Sequence, residues 1–304
     1  MEPIIEVEDL HKIYGDVHAV KGLSFTVERG DVYGFLGPNG AGKSTTIRIL
    51  LTLIKPTSGT VRIFGKPLSQ NRQHILSRIG AIVERPDFYN YLSAERNLQI
   101  LGMLSGTNVS KAKLMRTLAI VGLEDRAKSK VKTFSHGMKQ RLGIAQALIH
   151  NPDLIILDEP STGLDPQGMV DLRNLILELS ADHKKTIFLS SHILPEVELT
   201  ASKMVIINKG TAMVEGSVRE LISEGKLRVT FEVDSAEKAA SVISSSAFAD
   251  RLTSIDENSV FLKLSRSETS AVTQLLVQNE VSVEAVIPVR SLEDYFISIT
   301  QGTK

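Results

Sequence analysis

Cysteine is missing from all 304 residues. Disulfides and thiol chemistry are therefore excluded, and nothing in the chain demands an oxidising compartment. A surplus of charge is missing too: 35 Lys and Arg stand against 35 Asp and Glu, so there is no bulk electrostatic footprint for nucleic acid. No apolar run approaches the roughly 18 residues that a membrane helix requires. The opening Met1-Glu2-Pro3-Ile4-Ile5-Glu6 lacks the basic-then-apolar order of a signal peptide. A soluble protein is expected, with any transport role exercised through a membrane partner. The length argues for two domains rather than one, and an apolar content of 42% is ordinary for a packed core.

What is present centres on Gly37-Pro38-Asn39-Gly40-Ala41-Gly42-Lys43-Ser44-Thr45, which satisfies G-x-x-x-x-G-K-[ST]. Asp31–Leu36 before it reads as a short buried strand, and Thr46–Leu51 after it has helical apolar spacing. Strand, glycine loop and helix together make a phosphate cradle. Glycines let successive N–H groups turn toward one anion, and the helix adds its positive end. In that cradle Lys43 reaches the β- and γ-phosphates and the Ser44 hydroxyl binds Mg²⁺.

Residues 2–10 and 22–29 alternate apolar and polar as strands do, with Tyr14 in the turn between them. Tyr14 is either a stacking platform for a nucleotide base or an ordinary loop aromatic. Ile79–Val83 is an apolar strand that ends at Glu84-Arg85-Pro86, where proline forbids continuation inside a sheet. Glu84 is either a ligand at the strand end or a solvated carboxylate before a turn. The aromatics Phe88, Tyr89 and Tyr91 that follow are expected at the surface. From about 93 to 127 the pattern is helical, with Ser93 and Ser110 as N-caps and a break near Gly106. Phe134–Arg141 leads into a helix ending near Leu148. Leu154–Leu157 is a continuous apolar run, the mark of a strand covered on both faces. It delivers Asp158-Glu159 to the end where ligands collect in open α/β sheets. Thr186–Ser191 repeats that design and ends at His192. Beyond about residue 225 the order of expected elements is β-α-β-β-α-β, with strands at 227–233, 259–264 and 281–287, another near 250–256, and helices at 235–246 and 267–278. A further helix is expected at 291–299. This part carries no catalytic constellation.

Taken together, the phosphate loop, the Asp158-Glu159 pair, His192 and the serine-glycine helix start at Phe134–Arg141 resemble the ATP-binding subunit of an ATP-binding-cassette (ABC) transporter. The resemblance spans about residues 4–220. It implies an α/β fold: a P-loop ABC ATPase core, with a mixed sheet and a helical subdomain at about 88–150, over residues 1–224. A small α+β ferredoxin-like accessory domain over 225–304 completes the expected architecture. The resemblance makes Tyr14 the base-stacking residue and Gly37–Thr45 the holder of the ATP phosphates. Ser44 and Asp158 become Mg²⁺ ligands, Glu159 the general base and His192 a γ-phosphate contact. Pro160–Asp165 completes the family's following loop, adding Asp165 to the nucleotide site. Ser135 and Gly137 match the signature that faces ATP bound by a second copy of such a subunit, so two subunits would enclose two nucleotides head to tail.

Two positions depart from the family pattern. His136 replaces the first signature glycine, with Met138 where glutamine is commonest. Glu84 stands where glutamine usually binds Mg²⁺ and senses the membrane partner, so it is expected to keep an oxygen ligand and add a charge. The stretch Ile79–Pro86 with Phe88, Tyr89, Leu92 and Ser93 resembles the bacitracin-resistance and lantibiotic-immunity branch. That implies a bacterial exporter subunit, cytoplasmic and peripheral on the inner face of the cell membrane, acting with a separate permease. The competing assignment is a soluble cassette ATPase acting on ribosomes or DNA. Against it stand the single phosphate loop, the absence of a charged linker, about 115 residues without sustained heptads between the two nucleotide motifs, and the neutral charge. Export of an ion or lipid is compatible with the same residues.

Overall fold

The computed structural model describes residues 2–224 and 227–289. Its contacts divide the chain into two compact units, Met1–Val218 and Arg219–Lys304.

The first unit is built on a six-stranded sheet. Its order is Thr211–Ser217, Lys203–Asn208, Val32–Leu36, Thr186–Ser191, Leu154–Asp158, Ile79–Ile82. All neighbours are parallel except the hairpin that joins the first two. Every residue of Val32–Leu36, Leu154–Asp158 and Thr186–Ser191 is buried, which explains why these strands read as unbroken apolar runs. Register decides what comes next. Leu36 pairs with Ser191, and Asp158 pairs with Ser190. The phosphate loop, Asp158-Glu159 and His192 therefore leave the sheet side by side.

A second, antiparallel sheet runs Val17–Glu28, Pro3–Tyr14, Ser58–Ile63, Lys66–Pro67. Phe25 of this sheet packs against Phe35 and Phe188 of the first, with ring centroids 5.4 and 5.9 Å away. Tyr33 stacks on Phe188 at 5.9 Å. The Tyr33 hydroxyl donates to Glu215 at 2.7 Å, and burial together with that carboxylate pushes its pKa well above the usual tyrosine value. The first hairpin is longer than the alternation pattern implied. Pairing continues to Tyr14↔Val17 across a two-residue turn in which Gly15 takes a φ of 54°. Tyr14 is thus the last residue of a strand, not part of the turn.

The helical segment contains Ala94–Leu104, Lys111–Ile120 and His136–Leu148, each capped by the serine before it. Ser93, Ser110 and Ser135 accept from the N–H groups of Arg96, Lys113 and Met138. Phe88 differs from expectation: it is buried, whereas Tyr89 and Tyr91 are 46% and 67% exposed.

In the second unit the antiparallel sheet has the order Leu252–Asp256, Ser259–Leu264, Leu227–Val233, Val283–Val289. Helices Ala236–Ser244 and Arg266–Gln278 supply the crossovers. Each crossover skips one intervening strand, the split β-α-β arrangement. Phe231, Val260 and Leu262 pack with Ala239, Ile243, Val272 and Leu276 as its core. The helix expected at 291–299 lies outside the described residues.

Because the Phe188 ring touches aromatic side chains from both sheets of the first unit, truncation there leaves a cavity that neither sheet can fill. Phe188→Ala is expected to cost about 3–5 kcal/mol, measured as a lower midpoint in chemical unfolding.

Candidate active site

The phosphate loop connects Leu36 to the helix Lys43–Leu50. That helix has Gly42 as its N-cap, at a φ of 106° and with no side-chain cap. No serine or aspartate oxygen occupies the first N–H groups, which remain directed at the loop. A Cβ at Gly42 would lie 2.7 Å from the Ala19 carbonyl oxygen, and one at Gly37 would lie 2.4 Å from that of Ile207. Glycine is required at both positions for the loop to sit against its neighbours. Lys43 is buried. Its Nζ donates to the Gly37 and Pro38 carbonyls at 2.7 and 3.2 Å and lies 3.1 Å from Glu159 Oε1.

At the end of the strand Leu154–Asp158, separated from Val32–Leu36 in the sheet by Thr186–Ser191, the carboxylates are held by a serine. Ser190 Oγ donates to Asp158 Oδ1 at 2.6 Å and accepts from the Glu159 N–H at 2.9 Å. Glu159 has a φ of 49°, a left-handed conformation that side chains other than glycine and asparagine rarely adopt. This twist turns its carboxylate off the end of the strand to meet two cationic or polar partners. Lys43 approaches one oxygen, and His192 Nδ1–H donates to the other, Oε2, at 2.6 Å.

These groups face one cavity of about 650 Å³, a size ordinary for a small-molecule site. Tyr14, Asn39, Gly40, Gly42, Lys43, Ser44 and Thr45 form one side; Glu84, Asp158, Glu159 and His192 form the other. Tyr14 is 44% exposed, and the Lys12 ammonium stands 4.8 Å from its ring centroid. Gly37, Pro38 and Ala41 stay off this wall. They form the back of the loop, where the Ala41 N–H donates to the Pro38 carbonyl. Ser135, Gly137 and Asp165 line a second cavity of about 350 Å³. Ser135 and Asp165 are both helix N-caps, with Asp165 Oδ1 accepting from the Gly168 N–H at 2.9 Å. Asp165 therefore lies with Ser135 and Gly137 and not on the first cavity.

Glu84 lies on the first cavity but with a partner of its own. The strand before it stops at Ile82, Glu84 takes a φ of 64°, and its carboxylate accepts from Arg48 Nη2 at 2.6 Å. Arg48 belongs to the phosphate-loop helix. No cluster of three or more His, Asp or Glu suited to hold a metal occurs among the described residues. Among the oxygen donors on the wall are the Ser44 hydroxyl and Asp158, which Ser190 engages at Oδ1. That set fits a hard cation such as Mg²⁺, which keeps waters and completes its shell with phosphate oxygens.

Motif reading missed Ser190 and Arg48, and also Thr162 and Gln140, which line the first cavity. Ser190 left a faint signal, a hydroxyl at the end of an apolar strand. Its pairing with Asp158 required the register.

The ABC transporter family matches residues 20–162. A bacitracin transport ATP-binding protein, BcrA, of Bacillus licheniformis is 42% identical over 304 residues, covering 99% of each chain. BcrA of Enterococcus faecalis is 37% identical over 303 residues, covering 99% of this chain and 98% of that one. Among solved structures, the dimeric post-hydrolysis state of the ATP-binding cassette MJ0796 bound to ADP and Pi has a TM-score of 0.63 at 25% identity. It covers 71% of this chain and 99% of that one.

Ser190→Ala removes the acceptor of the buried Glu159 N–H and the donor to Asp158 together. A stability loss of about 1–3 kcal/mol is expected, measured by urea titration, with Ser190→Thr retaining more than half of the wild-type stability. An unchanged midpoint for Ser190→Ala would mean that the Glu159 peptide is held some other way.

Proposed function

The chain belongs to the ATP-binding subunits of ABC transporters, and from that premise we propose that it hydrolyses ATP with Mg²⁺ to power export through a separate membrane permease. The observation that carries this is the carboxylate of Glu159 held between Lys43 and His192, beside the Asp158–Ser190 pair. The loop N–H groups and Lys43 would bind the β- and γ-phosphates, and Tyr14 would stack on the base. Ser44 and Asp158 would hold Mg²⁺, which when bound neutralises charge on the phosphate oxygens. Phosphate oxygens compete for the Lys43 ammonium that otherwise lies against Glu159. Glu159 Oε1, relieved of that partner, accepts a proton from the water whose oxygen attacks the γ-phosphorus. The bond from phosphorus to the ADP oxygen breaks, and ADP and phosphate result. His192 holds Oε2 through the step and so fixes which oxygen acts.

The second cavity, at the N-terminus of His136–Leu148, would meet the γ-phosphate bound by a second copy, so that two chains close head to tail around two nucleotides. Hydrolysis would then depend on closure. Among the described residues no helix is long and apolar enough to cross a membrane, and we assign the membrane path to the permease. Exposed Tyr89 and Tyr91, whose rings pack edge to face at 6.1 Å, form its docking surface with Arg85. The chain would then work at the inner face of the cell membrane. The similarity to bacitracin transport proteins supports a peptide antibiotic as the exported class. No described residue of the Arg219–Lys304 unit lines either cavity described above, and the unit is assigned an accessory role.

Glu159→Gln keeps the shape of the side chain but cannot accept the proton. It should lower ATP turnover about 10²–10⁴-fold while nucleotide binding persists, measured by phosphate release and fluorescent-nucleotide titration. Turnover at the wild-type rate would assign the base elsewhere.

Glu84 can approach the metal only by leaving Arg48. Both side chains are exposed, so the pair is worth no more than about 1 kcal/mol and the exchange is cheap. Glu84→Gln should therefore shift the Mg²⁺ dependence of turnover while metal-free ATP affinity stays equal or improves. Superimposable Mg²⁺ titrations, with and without the permease, would make Glu84 a surface residue.

A further inference from the structure

His136 occupies the first position of the helix His136–Leu148, on the wall shared by the two cavities. Its Nε2–H donates to the Thr162 carbonyl at 3.2 Å. Thr162 in turn donates its N–H to the Glu159 carbonyl at 3.1 Å. The Glu159 N–H is already held by Ser190. Both peptide groups of a residue in the left-handed region are thus fixed, one from the neighbouring strand and the other through a turn anchored by His136. The packing agrees with the hydrogen bonds. A Cβ at Gly163 would come within 3.4 Å of His136 Nε2, and one at Gly137 would contact Leu164 Cδ2 at 3.9 Å. The turn after Glu159 lies directly on the start of the signature helix.

We propose that His136 is a positioning residue for Glu159, coupling the signature helix to the catalytic carboxylate through Thr162. The proposal rests on the function assigned above. A glycine at position 136 could not make this link, because its side chain offers no donor. A strained backbone such as that of Glu159 persists only where its surroundings over-determine it, and His136 supplies one of those constraints. The effect falls on the chemical step and not on nucleotide affinity. The imidazole acts on the backbone that aims the base, and Lys43 and the loop N–H groups remain as they were.

The test uses the full chain with ATP and Mg²⁺, comparing wild type with His136→Ala, His136→Asn and His136→Gln. The glutamine amide N–H can reach the Thr162 carbonyl; the shorter asparagine amide cannot. His136→Ala and His136→Asn should lower kcat about threefold to tenfold, the value of one hydrogen bond, with KM and fluorescent-nucleotide binding within about twofold of wild type. His136→Gln should recover most of kcat. Wild-type kcat in His136→Asn would overturn the proposal, as would a folded His136→Gln as slow as His136→Asn. If His136→Ala does not fold, the asparagine and glutamine pair still decides, since the two differ only in reach. A wild-type chain that neither binds nor hydrolyses ATP would overturn the proposed function and this proposal with it. Equal rates across the His136 series would overturn this proposal alone.

Discussion

The constraint on which the rest depends is the parallel register of three buried strands. Pairing Leu36 with Ser191 and Asp158 with Ser190 brings the ends of strands from three distant parts of the chain into one row. Parallel sheets place ligands at this end because the loops there diverge and leave a crevice. Here the row carries backbone donors, a paired aspartate, a glutamate and a histidine. A slip of one residue would turn every side chain of such a strand to its other face, where it would meet a packed neighbour of different shape. The same burial that stabilises the sheet therefore holds the chemistry in position.

Around that row, charge is arranged in exchangeable pairs. Glu159 sits with Lys43 and His192, and Glu84 sits with Arg48. Each pair joins an acidic residue just beyond a strand end to a basic or polar group. An incoming triphosphate is repelled by carboxylates unless cations lie between them. On the proposed function the phosphates would take over Lys43, a basic partner already in place. That side chain is buried and saturated by two carbonyls and a carboxylate.

Local features of the fold were legible in the sequence. The serines that cap the helices at 93 and 110 act within one turn, so sequence spacing is sufficient to find them. Buried strands announced themselves as apolar runs, and the split β-α-β order of the second unit followed from alternating periods. What could not be read depended on distance. Tyr14 belongs to a strand because its partner Val17 pairs with it across the hairpin, which the weak alternation near 14 does not reveal. Phe88 is buried although it sits in a loop of otherwise exposed aromatics, which local pattern does not reveal. Ser190 meets Asp158 across 32 residues, and Arg48 meets Glu84 across 36. Such contacts are properties of register and packing, and no motif encodes them.

The central claim is that phosphate displaces Lys43 from Glu159 and so frees the base. It is tested most directly by a crystal structure of the wild-type chain with Mg²⁺, ADP and vanadate, a mimic of the phosphoryl group in transit. The account predicts Lys43 Nζ on the vanadate and out of contact with Glu159, with Glu159 Oε1 within hydrogen-bond reach of the apical oxygen and His192 still on Oε2. Lys43 remaining against Glu159, with the apical oxygen served by another side chain, would contradict it.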